Sequence, residues 1–127
     1  MKRLITIITI VCIILILSIL GIMQISKVTE ATANKLDTVN EYIDADKDLD
    51  TITKICDNMI DEWDKHSTYI SMYIAHDDID YVEKELIVLK RYCVLSDYDK
   101  AKVAIDEIKF RLDHIYQSEL PTLKNVF

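Results

Sequence analysis

The hydrophobic pattern of this chain changes character once, near Met23. Across residues 4–23 it is continuous: LITIITIVCIILILSILGIM carries no charge, with Thr6, Thr9, Ser18 and Gly21 as mild interruptions. About 20 such residues are what the hydrocarbon core of a bilayer requires. The run therefore predicts a membrane-spanning helix. Beyond it the apolar residues thin out to spacings of three and four, which gather side chains on one face of a helix. Val28, Ala31, Thr32, Leu36, Val39 and Ile43 form the first such stripe. Neither Gly nor Pro separates Met23 from it, so two readings stand side by side. Either the membrane helix runs on as one rod to about Asp44, or Ser26 or Thr29 caps a new start.

Residues 44–48 are polar and read as a turn. The second helix comes next, with the most regular pattern in the chain. Leu49, Ile52, Cys56, Met59, Trp63, His66, Ile70 and Tyr73 alternate spacings of three and four, the a/d seam of packed helices, and Ile60 and Ile74 widen it. Continued from Asp48 to His76, this rod would be about 43 Å long at 1.5 Å per residue, unless it bends near His66-Ser67-Thr68. Asp77 or Asp78 is the candidate cap of a third helix whose core face is Ile79, Val82, Leu86, Leu89 and Cys93. Ser96-Asp97-Tyr98-Asp99 makes a short turn and an acidic helix start, and the last helix presents Ala101, Ile105, Ile108, Leu112 and Ile115. Pro121 stops regular continuation, leaving residues 120–127 as a packed or extended tail. Short connections make consecutive helices antiparallel neighbours. The expected fold is all-α: an N-terminal transmembrane helix followed by an up-down antiparallel bundle of three to four helices. The second, third and fourth should form the tight unit, with the first docked on one side.

Charge sets the orientation. Lys2 and Arg3 precede the apolar run, and cations flanking a first membrane segment stay on the cytoplasmic side. Residues 1–3 are then cytoplasmic, 4–23 the anchor and 24–127 extracytoplasmic, a single-pass protein of the cell membrane. Ala31-Thr32-Ala33 offers a rival, a signal-peptidase site. The run is longer than the roughly 7 to 15 apolar residues of a secretory signal, however, and Lys27 and Glu30 intervene, which favours an uncleaved anchor. Cys12 does not read as a lipoprotein cysteine, since Val11 stands where a small residue would be wanted. All 22 carboxylates lie beyond the anchor; with Lys2 and Arg3 set aside, 13 of the 15 cations accompany them, a net charge of −9. Such a domain should not bind nucleic acid or anionic lipid faces. One Gly and one Pro leave almost no material for hairpin turns, which argues against a β fold. Three cysteines, one of them in the anchor, make neither a disulfide scaffold nor a metal-finger spacing.

An N-terminal anchor, then Trp63, then His76-Asp77-Asp78-Ile79-Asp80 with Val82-Glu83 and Leu86, then Leu112-Asp113-His114-Ile115, Glu119-Leu120-Pro121 and the ending Asn125-Val126-Phe127 together resemble a family of small bacterial proteins, domain of unknown function family 4363. The resemblance runs through nearly the whole chain, though no single motif is diagnostic. It implies a single-pass protein with an outer helical domain and no established activity. Family members are often encoded beside small polytopic membrane proteins, which hints at a partner of that kind.

The histidines are the candidates for chemistry. If the third helix rises and the fourth descends, His114 returns near the level of His76, and Asp77, Asp78, Asp80 and Glu119 would supply the oxygen ligands that zinc accepts beside imidazole. The spacing is not a metal signature, so the favoured expectation is structural: His76 closing the loop by hydrogen bonds, Asp77 and Asp78 capping. His66, on the seam between Met59 and Tyr73, is expected to be a satisfied core histidine, and Trp63 a core aromatic. Counting back from a turn at Asp77 sets Cys93 opposite about residue 61, some 7 Å from Cys56 along the helix, which predicts two separate buried thiols. No nucleophile elbow, phosphate-binding glycine loop or H-E-x-x-H occurs, and the chain is not expected to be an enzyme or to carry a cofactor. With residues 1–3 alone expected inside, influence on the cell interior would have to pass through another chain. The leading expectation is a membrane-tethered interaction module that works through a partner protein in the same membrane. The alternative is an extracytoplasmic sensor of a small ligand or metal. Self-association through the long seam is a third possibility, and oligomeric state is left open.

Overall fold

The computed structural model describes residues 1–119, Glu119 by its backbone alone. The tail carrying Pro121, and with it the expected stop there, lies outside the described residues. Those residues form four helices, α1 (Lys2–Asp44), α2 (Leu49–Ile70), α3 (His76–Val94) and α4 (Tyr98–Glu119). α1 is one unbroken helix, so of the two readings at Met23 the single rod is the observed one. Ser26 and Thr29 cap nothing: the Thr29 hydroxyl donates to the carbonyls of Ile25 and Ser26, within its own helix. Residues 1–20 are exposed on every side of the helix, whereas Gly21, Ile25, Val28, Thr29, Thr32, Leu36 and Val39 are buried. One helix thus serves two solvents, a candidate membrane span below and a bundle wall above.

The bundle is a ring. α1 packs on α2 and α4, and α3 packs on α2 and α4, with no packing across the diagonals among the described residues. α1 is therefore a full wall and not an element docked on the side of a three-helix unit. The core is built from the stripes: Ile52, Cys56, Met59, Trp63 and Ile70 of α2, Ile79, Val82, Leu86, Leu89 and Cys93 of α3, and Ala101, Ile105, Ile108, Leu112 and Ile115 of α4 all lie buried. Ile25 and Ala104 join them, while Ala31, expected in the first stripe, is exposed.

Two turns share one geometry without a glycine. After α1, the amide of Asp46 bonds to the Ile43 carbonyl and that of Lys47 to Tyr42; after α3, Ser96 bonds to Cys93 and Asp97 to Tyr92. This is the Schellman pattern, whose left-handed residue is usually Gly. Here Asp46 (φ 55°) and Ser96 (φ 56°) occupy it. The α2–α3 connection differs. α2 stops at Ile70, six residues before the rod expected from the seam, and residues 71–75 form a tight turn in which Tyr73 and Ile74 both donate to the Ile70 carbonyl. The hydroxyls of Ser67 and Ser71 bond to the carbonyls of Asp64 and Thr68, the local competition with helix bonding that favours an end here.

Candidate functional site

The α2–α3 wall carries the largest buried side chain, Trp63, whose Nε1 donates to the Ile79 carbonyl at 3.2 Å. An indole is large and apolar but needs one acceptor when buried. Trp63 therefore sits in the core, as expected, and additionally ties α2 to the first turn of α3. Further along the wall Lys90 and Asp57 pair at 2.5 Å, and that contact raises the Lys90 pKa above its ordinary value through the hydrogen bond and charge of Asp57. Cys56 and Cys93 are free and buried, and near enough to shift each other's titration, Cys56 upward and Cys93 downward. The expected pair of free, buried thiols is observed, and what changes is their separation of about 7 Å along the helix. That separation assumed a rod reaching Asp77; the earlier end of α2 slides the register and brings the thiols level. Contact with Cys93 and burial push the Cys56 thiol well above the ordinary thiol value.

Asp77 and Asp78 are not caps. The N-cap of α3 is Ala75, with no side-chain capping bond, and both aspartates lie in the first helical turn, where negative charge still complements the helix dipole. Asp78 has a second task. Its Oδ1 lies 2.9 Å from Nη1 of Arg111 on α4, and the Arg111 guanidinium stacks 4.3 Å over the Tyr81 ring. This Asp78–Arg111–Tyr81 cluster joins the foot of α3 to α4. The apolar stripes give no sign of it, because it depends on the helical register between two separate stripes. His76, the first residue of α3, and His114 are both exposed, and no hydrogen bond of the His76 side chain closes the loop among the described residues. Among those residues no three His, Cys, Asp or Glu side chains converge as a metal site would require. His66 also departs from expectation. Its side chain is 38% exposed and its Nε2 lies 3.4 Å from Oε2 of Glu62, so it leaves the seam for the α1–α2 groove beside Lys27 and Lys35.

The larger concavity lies on the opposite side of α1. An open groove of about 430 Å³ runs between α1 and α4, lined by Ser26, Thr29, Glu30, Lys109, Asp113 and Tyr116 among others. Its polar lining mixes both charge signs, and Thr29 is already bonded within its own helix. At its upper edge Lys109 pairs with Asp37 at 2.5 Å, and two turns higher Lys102 pairs with Asp44.

The sequence pattern of the family described as domain of unknown function (DUF4363) matches residues 19–126, and the chain belongs to that family. The matched region opens just below Gly21, where burial of α1 begins. No curated protein matches the chain, nor does any solved structure.

Proposed function

We propose that this family member is a membrane-tethered interaction module. Residues 4–23 anchor it in the cell membrane, residues 1–3 stay inside, and the helical bundle stands on the extracytoplasmic side and binds a protein partner in the same membrane. It works by binding and not by catalysis. The observation that carries this reading is the continuity of α1, exposed and apolar below Gly21 and a buried wall of the bundle above it. A helix that leaves the bilayer directly as part of the bundle holds that bundle close to the membrane surface, within reach of neighbours in the same plane. Lys2 and Arg3 support the orientation, and the acidic surface supports a protein partner over nucleic acid. Purification of the full chain from mild detergent after cross-linking should recover a stoichiometric integral membrane protein. Repeated recovery of this chain alone would sink the proposal.

The α1–α4 groove favours a second reading, an extracytoplasmic sensor of a small ligand or metal. Stoichiometric binding of a small polar ligand or of zinc by the purified chain, lost when the groove residues Glu30 and Asp113 are both changed to alanine, would support it.

A further inference from the structure

The lower end of the bundle reaches the bilayer. Asn58 accepts a hydrogen bond from Lys35, and further down the same pair of helices the Tyr73 ring lies directly on Gly21. A Cβ placed on Gly21 would fall 2.4 Å from Cε1 of Tyr73, so only glycine admits the ring so close. Gly21 is two residues inside the apolar run, about 3 Å below its upper end. The tight turn of residues 71–75 therefore stands at the level where hydrocarbon gives way to headgroups. α4 stops higher. Lys109 faces Asp37 and Lys102 faces Asp44, so each step down α4 is a step down α1, and Glu119 comes level with Lys27. The turn projects some six residues lower, roughly 9 Å.

The side chains exposed on the turn fit that level. Met72 is 76% exposed and Tyr69 50% exposed, both of them large. The Tyr69 ring is tilted against that of Tyr73, with ring centroids 6.4 Å apart. Tyrosine is enriched where membranes meet water because its ring is apolar and its hydroxyl is not. The start of α3 limits the depth, since His76, Asp77, Asp78 and Asp80 come directly after the turn and carboxylates do not enter hydrocarbon cheaply.

We infer that the α2–α3 turn, through Tyr69, Met72 and Tyr73, is a second membrane contact seated in the outer headgroup layer. The inference rests on reading α1 as the anchor. With two contacts the bundle neither swivels about α1 nor lifts from the surface, and it offers one fixed side to a partner in the same plane.

The test uses the full chain in phosphatidylcholine vesicles whose lipids are brominated either near the headgroup or deep in the acyl chain. Tryptophan is introduced singly at four exposed positions, Leu15→Trp in the anchor, Met72→Trp and Tyr69→Trp at the turn, and Leu95→Trp at the far end. The emission of the parent, from Trp63, is subtracted. The expected result is that deep bromines quench Leu15→Trp. Shallow bromines should quench both turn variants about twofold or more, with a blue shift, and Leu95→Trp should stay unquenched. If Leu15→Trp is quenched while both turn variants behave like Leu95→Trp, the turn stands clear of the bilayer and the inference fails with the anchor intact. If Leu15→Trp escapes quenching as well, the anchor reading fails and takes the inference with it.

Discussion

Replacing Trp63 tests how the bundle is held together just above the α2–α3 turn. Trp63→Phe removes the 3.2 Å hydrogen bond to the Ile79 carbonyl and part of an indole that is 1% exposed. The bond accounts for about 1 kcal/mol net. Shrinking the ring leaves a void of about 40 Å³, which at ~24 cal/mol per Å³ adds about 1 kcal/mol. The expected loss is about 2 kcal/mol, rising to about 3–5 kcal/mol for Trp63→Ala. Chemical unfolding of the full chain in detergent micelles, followed by far-ultraviolet ellipticity, measures this without depending on the lost fluorophore. The apolar half of α1 should remain helical in the micelle, so the transition reports the bundle. A Trp63→Phe variant within about 0.5 kcal/mol of the parent, the range of ordinary surface changes, would show that neither the bond nor the packing at this site matters as argued.

Three further outcomes depend on particular backbone and side-chain geometries. Ser96→Gly should stabilise the bundle by about 0.5–1 kcal/mol, because a left-handed φ of 56° strains a residue with a Cβ and not a glycine; a loss of stability in the same unfolding assay would contradict the assigned turn. Gly21→Ala gains about 1 kcal/mol of helix propensity but displaces the Tyr73 ring, at about 1–3 kcal/mol. It should be neutral or destabilising in the parent and stabilising in a Tyr73→Ala background, and equal effects in both would deny the contact. Finally, contact with Cys93 and burial raise the Cys56 pKa above its ordinary 9.0, while the same contact lowers that of Cys93. The unfolded chain releases the Cys56 proton before the folded chain does, so the Cys56 contribution to stability is present below about pH 9 and lost above it, offset in part by Cys93, whose proton the folded chain gives up first. Cys56→Ala should flatten this fall in a pH series of unfolding midpoints; an unchanged slope would remove the thiol from the explanation.

Much of this architecture is legible from spacing alone. The faces of α3 and α4 are buried residue for residue as their stripes predict, and Trp63 lies in the core where the seam sets it. The candidate chemistry is less legible. The seam of α2 runs on smoothly through His66 to Tyr73, yet its helix ends at Ile70, where Tyr73 and Ile74 close a tight turn onto the Ile70 carbonyl that an apolar pattern does not show. That early end moves Cys93 beside Cys56. His66 turns outward to Glu62 for a similar reason: a seam position guarantees proximity to a neighbouring helix, but an imidazole near the rim gains more from a carboxylate and water than from burial. The Gly21 contact does leave one trace, in that the chain has a single glycine and it lies inside the apolar run.

By itself, then, the sequence determined the helical class, the length of the apolar run and which face of each helix is buried, because the period of an α-helix and the cost of wetting apolar surface are local properties. Tertiary structure alone decided the register between helices. It set Tyr73 on Gly21, Asp78 on Arg111 and Cys56 near Cys93, and it merged the apolar run and the bundle wall into one rod. Register is the sum of many cross-helix contacts and of where each helix ends, and no stripe read along a single helix contains that sum.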